Sequence, residues 1–321
     1  MGIAFVFPGQ GSQSVGMLQD LATRFGCVRE TFTAASTVLG YDLWMLVQQG
    51  PMERLNETER TQPAMLAAGV AVFRAWREAD GPPPAVVSGH SLGEFTALVC
   101  AGALEFDAAV ELVRFRGEVM QHAVPLGTGA MAAILGLDDA TVAAICQEAA
   151  QGSVVEAVNF NAPGQIVIAG ESQAVTRAID LAIARGAKRA VPLPVSVPSH
   201  SSLMQGAAAR FGERLGKVPL RPPRIEYVSA VDAASHQDPE DIRGLLLRQL
   251  ASPVRWTETV TALLTRRVGS VIECGPGKVL TGLNRQIERR SGQRSNVQYL
   301  ALEDGASLEQ AIAMTKGTVR A

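Results

Sequence analysis

Short apolar runs closed off by Gly and Pro alternate with longer Ala-rich stretches along most of this chain, and few architectures accommodate that rhythm. Residues 3–7, 85–88, 225–229 and 270–273 read as buried strands. Helical patterns are expected at 17–25, 28–39, 63–79, 92–101, 106–118, 202–215, 238–250 and 256–266. Strands separated by helices in this way imply crossover βα units on a largely parallel sheet.

The middle of the chain has a different period. Strands at 130–137, 154–160, 165–169 and 187–193, with helices at 138–150 and 172–185, spell βαββαβ. That order is the split-βαβ, ferredoxin-like pattern. Gly- and Pro-rich linkers flank it, Pro125-Leu126-Gly127-Thr128-Gly129 on one side and 192–198 on the other. The expected organisation is therefore a small domain, 127–196, inserted into a large α/β domain made of 1–126 and 197–321. A cleft between two such units is a favoured ligand site.

Composition narrows the function. Of 321 residues, 47% are hydrophobic and 19% charged, enough for a sizeable core and against disorder. A net charge of −2 argues against a general nucleic-acid binder. The longest apolar stretches fall far short of the roughly 20 residues that a membrane span needs. The N-terminal run Ile3-Ala4-Phe5-Val6-Phe7 lacks a basic flank, so it reads as a first strand and not as a signal peptide. Gly2 is no myristoylation site, because Val6 stands where Ser or Thr is required. Cys27, Cys100, Cys146 and Cys274 form no CxxC and no disulfide framework. The expectation is a soluble cytoplasmic protein of a reducing compartment.

Gly89-His90-Ser91-Leu92-Gly93 is a G-x-S-x-G between an expected strand and an expected helix, the context of a nucleophile elbow. A Gly-rich turn with Ser91 as an ordinary N-cap has the same spelling. As a nucleophile, Ser91 would sit at a helix N-terminus, where free N–H groups favour a developing oxyanion. It would need a base, and the chain has four histidines. His90 adjoins Ser91 and reads as structural. His122 suits a helix C-terminus, and His236 sits in a polar segment that reads as a solvated loop. His200 ends Val197-Pro198-Ser199-His200, a rigid segment at the expected domain junction, and is the best base available. Two lookalikes fail. Gly127-Thr128-Gly129-Ala130-Met131-Ala132 enters a strand without the strand-then-helix frame of a dinucleotide site. Gly275-Pro276-Gly277-Lys278-Val279 lacks the first Walker glycine and the final Ser or Thr. No spacing of His, Cys and carboxylates suggests a metal site, and no cofactor is indicated.

Five motifs in register make the chain familiar: Phe7-Pro8-Gly9-Gln10-Gly11-Ser12-Gln13, Gly89-His90-Ser91-Leu92-Gly93-Glu94, Arg116-Gly117, Pro198-Ser199-His200 and Gly275-Pro276-Gly277. With Val158 to Gln165, they resemble the malonyl-CoA:acyl-carrier-protein transacylases of type II fatty-acid synthesis over residues 3–289. The resemblance implies an α/β-hydrolase-like large domain carrying a ferredoxin-like small one. It implies Ser91 as the nucleophile that forms a malonyl ester and His200 as its base. The Gln10 and Leu92 N–H groups correspond to the oxyanion hole, and Arg116 to the residue that binds the malonyl carboxylate. Gln249 matches the position whose main-chain carbonyl orients the histidine. Gln62 and Asn161 match positions near the site, with roles left open. Ala230 stands where many relatives carry asparagine.

The implied reaction is ping-pong: malonyl-CoA acylates Ser91, CoA leaves, and the phosphopantetheine thiol of acyl carrier protein takes the malonyl group. Carrier proteins are generally acidic, so a basic docking surface is expected. Between Arg255 and Arg294 eight basic residues face three acidic ones, with Lys278, Arg285 and Arg289 as docking candidates. A merely solvated helix face explains the same run equally well. A malonyl transferase of malonate decarboxylation or polyketide assembly would share nearly every motif. A serine hydrolase or thioesterase would share the elbow, but normally places its acid and its histidine later in the chain.

Overall fold

The computed structural model describes residues 1–125, 127–195, 197–292 and 296–319. The expected domain borders at Leu126 and Ser196, and the basic Arg294, lie outside them. In chain order the elements begin with β1 (Gly2–Phe7), α1 (Gln19–Arg24), α2 (Gly26–Leu39), α3 (Leu43–Gln49), α4 (Met52–Leu55) and α5 (Thr58–Glu78). Then come β2 (Val86–Gly89), α6 (Gly93–Cys100), α7 (Phe106–Gln121), β3 (Gly129–Leu135), α8 (Asp139–Ala150), β4 (Val155–Ala162) and β5 (Gln165–Glu171). They continue with α9 (Ser172–Ala184), β6 (Arg189–Pro192), α10 (Gln205–Leu215), β7 (Glu226–Val228), β8 (Ser235–His236) and α11 (Pro239–Arg248). The last are α12 (Trp256–Leu264), β9 (Val268–Glu273), α13 (Val279–Ser291), β10 (Gln298–Ala301) and α14 (Gly305–Val319).

Two sheets organise the chain. The six-stranded one runs β10-β9-β1-β2-β7-β8, parallel except for the β7–β8 edge pair. Successive strand residues point to opposite faces, and β1 shows what this does. Phe5 faces Phe73 and Trp76 of α5 edge-on, at 5.9 and 5.3 Å between ring centroids. Ala4 and Val6 face the other way, into a core with Trp256, Val260, Leu280 and Leu283 from α12 and α13. With both faces covered, the strand is apolar throughout, as expected of a central parallel strand.

The four-stranded sheet runs β4-β5-β3-β6, antiparallel throughout. Ala132 and Ile134 of β3 pack with Val142 and Ile145 of α8 and Val175 of α9. Met131 and Ala133, on the opposite face, line a cavity beside the larger sheet. The edge strand β4 is stitched to the larger unit by backbone bonds from Phe160 N–H to Val254 O and from Val254 N–H to Val158 O, both 2.9 Å.

Two expectations need correction. Helix α5 begins at Thr58, not at Pro63, which lies inside it. The added turn is held because Thr61 Oγ1 donates to Leu55 O at 2.6 Å and Thr58, Thr61 and Gln62 are buried. His236 is not in a solvated loop. It pairs with Tyr227 across the β7–β8 hairpin, and its Nε2 meets Asp232 at 3.0 Å. Helices α3, α4, α13 and α14 and strand β10 had no counterpart in the sequence reading. Among the described residues no helix is long and apolar enough to cross a membrane.

Candidate active site

The register of the large sheet places Phe7 opposite Gly89 and Val6 opposite Glu273. The segments that leave β1, β2 and β9 therefore emerge side by side, in the crevice outside the carboxyl ends where open α/β sheets bind ligands. A cavity of about 490 Å³ lies there, lined among others by Gln10, Ser91, Arg116, Asn161, His200 and Leu283.

Ser91 sits at the turn between β2 and α6 with φ 51°, a left-handed conformation that L residues adopt under constraint. Its glycine neighbours make the turn possible. A Cβ on Gly89 would lie 1.9 Å from Gly93 C, and one on Gly93 would lie 2.0 Å from Phe7 O. Both obstacles are backbone, so neither can step aside. Gly93→Ala is expected to cost about 3 kcal/mol or more. A Tm lowered by several degrees in a thermal melt would bear this out, and an unchanged Tm would refute the close approach.

His200 is buried and also held at positive φ, 68°, with its N–H bonded to Leu250 O at 3.1 Å. Its Nδ1 lies 2.8 Å from the main-chain carbonyl of Gln249. A carbonyl only accepts, so Nδ1 carries the proton and Nε2 is the acceptor. Nε2 lies 2.8 Å from Ser91 Oγ, which donates to it. Burial, and then the positive charge of Arg116, pulls the imidazole pKa down to about 3, so the ring is neutral at physiological pH.

Arg116 reaches the same point from α7, which can approach α5 because Gly117 follows it. A Cβ there would lie 2.6 Å from Glu59 Cα and from Thr58 O. The guanidinium is 1% exposed and lies 5.5 Å above the Phe95 ring centroid. Nη1 donates to Gln62 Oε1 at 3.0 Å, and Nη2 to Gln249 Oε1 at 2.9 Å and Ser91 Oγ at 3.2 Å. Its Nε is buried without a partner, and among the described residues no carboxylate forms an ion pair with it. Burial lowers its pKa to about 10, which leaves it charged. A buried cation held only by amides and a hydroxyl is prepared for an anion.

The remaining expected residues fall around this core. Gln10 and Leu92 both line the cavity beside Ser91. Gln62 holds Arg116, as above. Asn161 Oδ1 lies 2.8 Å from Nε2 of His90, whose ring packs 5.5 Å from Trp256. His90 is thus braced on the cavity wall and takes no part in the Ser91–His200 pair. Ala230 contributes through its backbone, its N–H donating to Glu94 Oε2 at 3.3 Å and its carbonyl accepting from Arg255 N–H at 2.8 Å. Arg285 and Arg289 are exposed one turn apart on α13, whose Leu280 and Leu283 line the cavity, and Lys278 lies 3.4 Å from Glu303.

Glu94 was missed as a functional residue. It is wholly buried in the first turn of α6 and bonded to Tyr227 Oη and Gln249 Nε2. A lone charged residue in the run 93–101 was the available signal.

The chain is similar to known proteins over most of its length. A family described as "Acyl transferase domain" matches residues 4–302. The malonyl CoA-acyl carrier protein transacylase of Escherichia coli strain K12 is 56% identical over 284 residues, covering 88% of this chain and 92% of the relative. That of Bacillus subtilis is 42% identical over 315 residues, covering 98% and 97%. An acyl carrier protein S-malonyltransferase structure from Vibrio cholerae superposes with a TM-score of 0.92 at 53% identity, covering 97% and 99% of the two chains. A malonyl-transacylase solved in complex with a type II PKS acyl-carrier protein superposes with a TM-score of 0.95 at 52% identity, covering 98% and 100%. On sequence and on structure alike, the chain belongs to the malonyl-CoA:acyl-carrier-protein transacylase family.

Proposed function

We propose that this chain moves malonyl groups from malonyl-CoA to the phosphopantetheine thiol of acyl carrier protein, for fatty-acid synthesis, through a malonyl-Ser91 ester. The observation that carries the reading is Arg116: a buried, amide-held cation with no carboxylate partner among the described residues, 3.2 Å from the nucleophile. His200 Nε2 takes the Ser91 proton as Oγ attacks the thioester carbonyl. The oxyanion forms between the N–H groups of Gln10 and Leu92, each such donor being worth about 2.7–4 kcal/mol in related sites. CoA leaves as a thiol with the proton from His200. The carrier thiol then gives its proton to His200 and attacks the ester carbon, and Ser91 regains its proton. Gln249 O holds the imidazole in the required tautomer without placing a second charge beside it.

The test is incubation with malonyl-CoA, with and without carrier protein, followed by intact mass measurement. A malonyl adduct that persists until carrier protein removes it supports the transferase. Free malonate released as fast as carrier protein is loaded would make it a hydrolase.

Residues 1–126 with 197–321 we read as an α/β-hydrolase-like domain, supported by the parallel core and the strand–turn–helix at Ser91. Residues 127–196 we read as an inserted ferredoxin-like domain, supported by the β4-β5-β3-β6 order and the packing of α8 and α9 together. The four free cysteines suit a reducing cytoplasm. For carrier docking we assign the exposed face of α13, with Lys278 at its start and Arg285 and Arg289 along it. The same helix lines the cavity, so a carrier seated there would deliver its thiol to Ser91. Reversing both arginines to Glu is expected to raise the KM for carrier protein about tenfold. Acylation by malonyl-CoA should be unchanged in stopped-flow measurements. An unaltered carrier KM would remove α13 from the docking surface.

A further inference from the structure

The Gln249 side chain joins groups that the reaction needs, and Glu94 decides which way it points. Its Nε2 donates to Glu94 Oε1 at 2.8 Å and to Ser91 O at 3.0 Å, while its Oε1 accepts from Arg116 Nη2 at 2.9 Å. Glu94 receives donors throughout: Tyr227 Oη–H and the Ala230 N–H on Oε2, and Gln249 on Oε1. A guanidinium only donates and Glu94 Oε1 stands as an acceptor at the other end, so the Gln249 amide turns its NH₂ toward Glu94 and its oxygen toward Arg116. Rotated by half a turn, the amide would set NH₂ against the guanidinium, donor against donor.

We infer that Glu94 is a positioning residue for acyl-group selectivity, acting through the Gln249 amide to aim Arg116 at the substrate carboxylate. The inference rests on the malonyl reading of Arg116 given above. The geometry also explains why the buried acid stands one residue back. A carboxylate in direct contact would occupy the guanidinium fork and compete with the malonyl group. Relayed through an amide, the carboxyl orients the cation's partner and leaves the fork free for substrate. Burial pushes the Glu94 pKa up, and the donors from Tyr227 and Gln249 pull it back down.

Glu94→Gln keeps the shape; the backbone N–H of Ala230, which can only donate, holds the new amide oxygen at the Oε2 position, so the NH₂ falls where Gln249 Nε2 needs an acceptor. The malonyl-to-acetyl ratio of kcat/KM is expected to fall roughly ten- to hundredfold, the scale of a misplaced hydrogen bond to a charged group. A purely structural role would lower both substrates together and leave the ratio unmoved. Gln249→Met removes the relay and keeps the main-chain carbonyl that His200 uses, so it should lower the ratio to a similar extent. Adding Glu94→Gln to it should then lower the ratio no further. If Glu94→Gln fails to fold, the Gln249→Met ratio alone decides. An unchanged ratio in either folded variant overturns the inference, as does full additivity in the double variant. Arg116→Ala, run alongside, separates the two readings. If it leaves the ratio intact, the malonyl reading falls. If it collapses the ratio and Glu94→Gln does not, only the role of Glu94 falls.

Discussion

Replacing His200 with Ala should slow acylation of Ser91 by roughly 10²–10⁴-fold, the usual worth of a positioned general base, without disturbing the fold. The imidazole is the group within 2.8 Å of Ser91 Oγ that can accept its proton. The other neighbour, Arg116 Nη2, can only donate. The same geometry sets the pH dependence. A pKa lowered to about 3 means that the base form is already present in the free enzyme at neutral and mildly acidic pH. The acid limb of kcat/KM should therefore lie well below the ordinary imidazole value of about 6.5. Once a carboxylate neutralises Arg116, one cause of the lowering is removed, so the limb of kcat should lie at higher pH than that of kcat/KM. Single-turnover acylation across a pH series measures both. A kcat/KM limb near 6.5, or near-normal acylation by the Ala variant, would mean another base.

Arg116→Ala should cost malonyl transfer about two to three decades, because breaking a buried pair leaves the substrate carboxylate unpartnered at about 3–5 kcal/mol. An acetyl group has no carboxylate to strand, so its transfer should suffer far less. The ratio of malonyl to acetyl kcat/KM should collapse while Ser91 is still acylated. Equal losses for both acyl groups would assign Arg116 to the fold or to the CoA moiety. Its 1% exposure and its bonds to Gln62 and Gln249 make folding the natural competing explanation. The substrate ratio, unlike absolute activity, separates the two.

That Ser91 and His200 meet was legible in the sequence, from the G-x-S-x-G turn and the rigid Pro-containing segment, whereas Arg116 was named only through the family resemblance. At Gly89 and Gly93 the local constraint on that turn is now explicit, since a Cβ at either would strike backbone. Strands β1, β2, β7 and β9 of the large sheet were legible for a similar reason, buried faces on both sides leaving nearly unbroken apolar runs, whereas the edge strands β8 and β10 were not. Helix α13 was not. It opens on Gly-Pro-Gly-Lys, and its apolar stripe, Leu280, Leu283 and Ile287, is diluted by Asn284, Arg285 and Gln286. The start of α5 was hidden because Pro63 looks like a first helical residue, whereas the turn before it is secured by Thr61 and burial. Gln62, Asn161 and Glu94 owe their places to partners 54, 71 and 133 residues away, respectively Arg116, His90 and Tyr227. Nothing local encodes a pairing at that distance, so their roles emerge only once the sheets are assembled.

The central claim is that malonyl groups pass through an ester on Ser91. The most direct measurement quenches the wild-type protein with acid shortly after mixing with malonyl-CoA, digests it and maps the label by peptide mass. One malonylated peptide is predicted, with the modification on Ser91, and it should disappear when carrier protein is added before the quench. A stable malonyl group on any other residue, or transfer to carrier protein with no enzyme-bound intermediate at all, would contradict the account.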